Sequence, residues 1–163
     1  MERIATKNSS DSQEAKPAGV ATGPQREADP VQLTSLAVKR GRLVCELVIP
    51  DVGKRYSTPS LAAFVERQHP DIARHACVNG LGRTFGSVME TTSIAHLLEH
   101  IAIDLQVREA EAPDARFVGT TEWIDEAAGK ARIELSFNDD LAALRAFNKA
   151  LQFLNIAVIH YLP

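Results

Sequence analysis

The sequence predicts an α+β domain, a two-layer sandwich in which an antiparallel sheet made of two hairpins is packed by helices. Two observations lead there. Apolar and polar residues alternate over 36–49 and again over 116–137, each time around a turn-forming stretch. Between and after these stretches, residues 91–106 and 138–158 carry apolar side chains at helical spacing.

Residues 1–30 are rich in Ala, Ser, Gln, Glu, Lys, Gly and Pro and nearly free of large apolar side chains. Such a stretch cannot bury enough surface to offset its ordering entropy, so a disordered tail is expected there, with one domain over 31–163. Leu36 and Val38, then Leu43, Cys45, Leu47 and Ile49, flank the turn Lys39-Arg40-Gly41-Arg42 and read as the first hairpin. Pro50-Asp51-Val52-Gly53 closes its second strand. Ser57-Thr58-Pro59 starts a helix whose apolar face is Leu61, Phe64 and Val65. A second, short helix is expected from Pro70 through Ile72, Ala73, Ala76 and Cys77, broken by Asn79-Gly80-Leu81-Gly82. Arg83 to Glu90 reads as loop or a short extended piece.

The helix over 91–106 follows Thr91, Thr92 and Ser93, which offer capping hydroxyls. A polar loop, 109–114, comes next, then strands over 116–124 and 131–137 joined by the turn Glu126-Ala127-Ala128-Gly129-Lys130. Asn138-Asp139-Asp140 caps a last helix with Leu141, Leu144, Phe147, Leu151, Leu154 and Val158 in its apolar stripe.

A net charge of -3 gives no electrostatic footprint for nucleic acid. No apolar run reaches the roughly 20 residues a membrane helix needs, and the N-terminus lacks the apolar core of a secretory signal. Cys45 and Cys77 make no disulfide framework and read as reduced core residues, so the expected compartment is the cytoplasm. Oligomerisation is left open.

Chemistry concentrates in His96-Leu97-Leu98-Glu99-His100. At about 100° per residue, Ile94, Leu97, Leu98, Ile101 and Leu105 share one helical stripe. His96, Glu99, His100 and Ile103 fall on roughly the opposite side. Histidines four apart stack one turn above the other, so their nitrogens can converge on one ion, with Glu99 beside them to act on a bound water. A solvated polar face, or core histidines bonded to backbone, also fits these residues, but the apolar flanks favour the metal. Zinc in a hydrolytic site takes three protein ligands and a water, so a third ligand must come from elsewhere. Glu122 is the first choice, followed by Glu134 and His75, with Cys77 last. Arg83, in a Gly-containing loop, could meet a substrate carboxylate. No nucleotide-phosphate loop of either common type is present.

His75-Ala76-Cys77, the stretch from Gly80 to Gly86, and His96-Leu97-Leu98-Glu99-His100-Ile101-Ala102-Ile103-Asp104-Leu105-Gln106 together resemble the N-terminal domain of cyanophycin synthetases. That domain carries an H-x-C element, a Gly-rich loop and H-x-x-E-H-x-A-x-[ED]-L-Q at similar spacing. Gly119-Thr120-Thr121-Glu122 looks like the family's Gly-Arg-Thr-Arg-Glu stretch without its arginines, which puts Glu122 first as third ligand. The resemblance implies binding of the aspartate–arginine polymer and, as in some members, a metallopeptidase-like site. His96 and His100 would then hold zinc and Glu99 would be the base. Apart from the resemblance, Arg83 and His75 are the candidate substrate-binding residues. These 163 residues hold neither an ATP-grasp nor a Mur-ligase-like domain, so a stand-alone domain is expected rather than a synthetase.

The expected function is zinc-dependent hydrolysis of cyanophycin or a related amide or isopeptide, on a peptide-like or polymeric substrate. The alternatives are a non-catalytic cyanophycin- or peptide-binding accessory module and a metal-dependent lyase acting on a small molecule.

Overall fold

The structure, a computed structural model, describes residues 28–110 and 115–163. The expected tail therefore lies outside the described residues up to 27, as do residues 111–114 of the expected polar loop. The two hairpins form: β1 (Gln32–Lys39) with β2 (Arg42–Val48), and β3 (Gly119–Asp125) with β4 (Lys130–Ser136). They join through β2 and β4 into an antiparallel sheet of order β1-β2-β4-β3. Alternation explains the joint. Leu43, Cys45 and Leu47 of β2 are buried beside Leu135, Ile133 and Ala131 of β4, which the register sets directly opposite them. One face of the central strand pair is thus wholly apolar, and a slip of one residue would turn it to solvent.

The two hairpin turns use the same device in different surroundings. Gly41 and Gly129 both have positive φ, 69° and 70°, which favours glycine. Gly41 has open space around it, whereas a Cβ at Gly129 would stand 2.1 Å from the Ile49 carbonyl. That crowding belongs to a corner built around Arg55. Its buried guanidinium donates to the carbonyls of Ile49 (3.0 Å), Glu126 (2.7 Å) and Pro50 (3.2 Å). The Arg55 carbonyl in turn accepts from Ile94 N–H at 2.8 Å. One residue so ties the end of the first hairpin and the turn of the second, through its side chain, to the start of the central helix, through its carbonyl.

Among the described residues three α-helices pack the sheet: α1 (Pro59–Gln68), α2 (Ile94–Glu109) and α3 (Asp140–Tyr161). Each has a side-chain N-cap: Thr58 accepting from Leu61 N–H, Ser93 from His96 N–H, and Asp139 from Ala142 N–H. Helix α2 lies against β3 and β4, and α3 packs across α2 and α1. None of these helices is long and apolar enough to cross a membrane.

The structure corrects four expectations. Helix α2 is buried nearly all round, Glu99, His100, Asp104 and Gln106 included, because sheet, α3 and the preceding loops enclose it. It also runs one turn past Gln106. The buried residues of α3 include Ala143, Ala146, Ala150 and Ala157 with Phe147, Leu154 and Val158, while Leu141 is exposed. Finally, the helix expected from Pro70 to Cys77 is only a single 3-10 turn, Ile72–Arg74, after which His75 leaves the helical region. Ala76 and Thr84 then form a bridge, so His75 and Cys77 sit on an extended loop.

Candidate metal centre

The loop from His75 to Phe85 is a small backbone-bonded unit. Cys77 N–H donates to the Arg83 carbonyl (3.1 Å) and Phe85 N–H to the His75 carbonyl (2.9 Å). Asn79 Oδ1 accepts from the N–H groups of Leu81 (2.9 Å) and Gly82 (2.8 Å), tightening the turn between. A short 3-10 turn, Phe85–Ser87, follows and buries the Phe85 ring. This unit lays Cys77 and Phe85 onto the first two turns of α2.

Three potential ligands converge there. Donor atoms of Cys77, His96 and His100 all lie within 4.8 Å of one another, and Cys77 Sγ is 3.5 Å from His96 Nε2. The cap of α2 holds His96 twice: Ser93 Oγ accepts from its N–H, and Thr92 Oγ1 lies 2.7 Å from its Nδ1. That leaves Nε2 as the nitrogen facing Cys77. His100 is fixed by Phe85, whose ring stacks on it at 3.9 Å between centroids and 19° between planes. Phe85 meets His96 edge-on at 5.2 Å.

Glu99, on the same stretch of α2 as His96 and His100, turns its side chain to strand β3. Thr121 Oγ1 donates to its Oε2 at 2.6 Å. Its remaining oxygen occupies the space beside Gly119, where a Cβ would come within 2.5 Å of Oε1. Glycine at 119 and a hydroxyl at 121 therefore form the seat of this carboxylate.

Behind His100 is a second polar group. His75 Nδ1 is 3.2 Å from His100 Nδ1, and His75 Nε2 faces Asp104 Oδ1 at 3.7 Å. Asp104 Oδ2 accepts from His69 Nδ1 at 2.6 Å and pairs with Arg108 Nε at 2.8 Å. Burial alone would raise the Asp104 carboxyl, but His69, His75 and Arg108 outweigh it and hold it well below its ordinary range. Burial lowers His96, and burial with the neighbouring His96 and His75 pushes His100 down to about 3, so both rings stay neutral at physiological pH. Burial raises Glu99, partly offset by the Thr121 hydrogen bond.

The structure brings together His96, Glu99, His100 and His75 from the sequence reading, and adds Cys77 in first place where it had stood last. It does not bring Glu122 to them. Thr121, facing α2, pairs with buried Ile133, so its neighbour Glu122 must point through the other face of the sheet. There Arg132 reaches both Glu122 (3.2 Å) and Glu46 (2.8 Å). Glu134 alternates with buried Ile133 and Leu135 and shares that outer face. The Arg83 side chain is exposed, and only its carbonyl takes part, through Cys77 N–H. Cys45 is a core thiol pushed up to about 12 by burial, too high to serve as a thiolate.

Thr92, Thr121, Phe85, Asp104 and His69 were not anticipated as site residues. One signal for the loop was present: Asn79-Gly80 is a strong tight-turn pair, and with His75 and Cys77 before it and Phe85 after it, a chain reversal fits better than a helix. A surface cavity lined by Gln106, Phe117, Asn138 and Arg145 lies two turns further along α2 and does not include the cluster.

A cyanophycin synthase-like N-terminal domain model matches residues 48–159, from β2 to the last turns of α3. The chain belongs to that family, and this membership is what ties it to cyanophycin. Comparison with curated proteins finds no match.

Proposed function

We propose that this chain is a zinc-dependent, metallopeptidase-like hydrolase that cuts cyanophycin or a related amide or isopeptide. The observation that carries the reading is the convergence of Cys77, His96 and His100 donor atoms within 4.8 Å, with Glu99 next to His100 in the chain. A thiol and two imidazoles suit zinc and suit hard oxygen-seeking cations poorly. Cys77, His96 and His100 would hold the ion. A zinc ion held there would supply an activated water and polarise the carbonyl under attack. The protein's own part is to manage the proton. Glu99, held by Thr121 at Oε2, would take a proton from the attacking water. The raised Glu99 carboxyl holds that proton well enough to pass it to the leaving nitrogen.

Elemental analysis of untagged protein tests this. About one zinc per chain is expected in the wild type and in Glu99→Gln, and none in His96→Ala or Cys77→Ser. Cyanophycin fragments should appear with the wild type and not with Glu99→Gln. A wild type that stays zinc-free after zinc is added back would sink the reading.

A further inference from the structure

We propose that Asp104, acting through His75, fixes the ring tautomer of His100 and so selects the nitrogen that His100 offers to a metal. This rests on the hydrolase reading and deepens it by assigning a positioning pair behind the ligand helix.

A neutral imidazole carries one N–H and one bare nitrogen, and the partner of either decides which is which. Asp104 and its partner His69 are buried at one end of this chain of contacts. Its Oδ2 is held by His69 and Arg108, while Oδ1 faces His75 Nε2 at 3.7 Å. That separation exceeds a direct hydrogen bond. Even so, a carboxylate oxygen attracts an N–H and repels a ring lone pair, and the low dielectric around the 4%-exposed Asp104 side chain strengthens the preference. His75 therefore keeps its proton on Nε2, and its Nδ1 is bare.

That bare nitrogen lies 3.2 Å from His100 Nδ1. Two lone pairs at this distance would repel, so the proton between the rings belongs to His100. His100 is then Nδ1–H, with Nε2 free to ligate. Phe85, stacked on the ring, keeps His100 from turning over. A ligating histidine whose other N–H is held in this way is the usual arrangement at metal sites, and disturbing it costs about 10- to 100-fold in affinity. His75 thus supports a ligand instead of being one, which leaves a coordination position open for water.

Nitrogen-15 NMR of the metal-free, histidine-labelled chain reads the tautomers directly and needs no variant. The expected result is His100 protonated on Nδ1 and His75 on Nε2. In Asp104→Asn, the His100 signal should shift toward a mixture of tautomers. Zinc affinity, measured by competition with a chromophoric chelator, should fall about 10- to 100-fold. His75→Ala leaves the His69–Asp104–Arg108 contacts intact and should give the same shift, so it carries the test if Asp104→Asn does not fold. His100 protonated on Nε2 in the wild type overturns the proposal, as does an unchanged tautomer in a folded variant. Bound zinc with His75 as a fourth nitrogen ligand, seen by X-ray absorption, overturns it as well. A wild type with the expected tautomers but no zinc affinity would instead remove the hydrolase reading and leave the positioning pair standing.

Discussion

Adding one methyl group at position 119 should reveal how tightly Glu99 is seated. The φ of Gly119 lies outside the left-handed region, so Gly119→Ala strains no backbone dihedral, and its effect is one of space. The new Cβ would stand 2.5 Å from Glu99 Oε1, 2.6 Å from Cγ and 2.7 Å from Cδ. Real carbon contacts do not come so close, so Glu99 must move. It cannot move freely, being only 4% exposed and bonded to Thr121. Overpacking of this kind costs about 1–3 kcal/mol, and losing a hydrogen bond to a charged group costs about 1.5–3 kcal/mol. The two overlap, since one displacement produces both, so a loss of about 2–3 kcal/mol is expected in urea denaturation. Cyanophycin cleavage should fall sharply, whereas zinc content should stay near that of the wild type because no ligand is touched. The decisive comparison is a double-mutant cycle. Glu99→Ala removes all three clashing atoms, so Gly119→Ala should cost little in that background. Equal costs in both backgrounds, or a wild-type-like Gly119→Ala, would refute the reasoning.

Three further outcomes follow from the same structure. Asp104 is held below its ordinary pKa of 3.8 in the folded chain, so it contributes stability that is present above that value and lost as pH falls below it. The gap in urea stability between metal-free wild type and Asp104→Asn should accordingly be full at pH 7 and close progressively below 3.8; a gap that ignores pH would contradict this. Glu122→Gln should leave zinc content unchanged and shift stability by no more than about 0.5 kcal/mol, because the residue belongs to an exposed charge pair on the far face of the sheet. Asn155→Ala should destabilise by about 1–3 kcal/mol on thermal or urea unfolding, since Asn155 pairs both the N–H (2.8 Å) and the carbonyl (3.0 Å) of buried Val31.

Local patterns carried most of the fold. Both hairpins and the three long helices follow from alternation, helical spacing and capping residues, all of which act within a few positions of one another. His96, Glu99 and His100 were legible for the same reason: one helix places them. The third member of the candidate cluster, Cys77, was not, because its place depends on contacts between distant segments. Glu122 was favoured by its place in the sequence, but a strand alternates, and only pairing with β4 fixes which phase faces the helix. Thr121 won that phase. Cys77 was hidden by a short apolar run that reads as helix, although the Asn79-Gly80 turn reverses the chain and lays the loop over α2. In α3 the leucines drew attention, yet Leu141 is exposed and four alanines share the buried side with Leu154.

The difference between the two hairpin turns has a practical side. An engineer wishing to attach a fluorophore, an affinity tag or a short inserted peptide has two sites that look equivalent on paper. The Arg40–Gly41 turn is exposed and has open space around Gly41. The Glu126–Gly129 turn is clamped by Arg55, whose backbone also starts α2, so lengthening it would shift the helix that carries His96 and His100. A label at the first site should report on the protein, and one at the second would rebuild it.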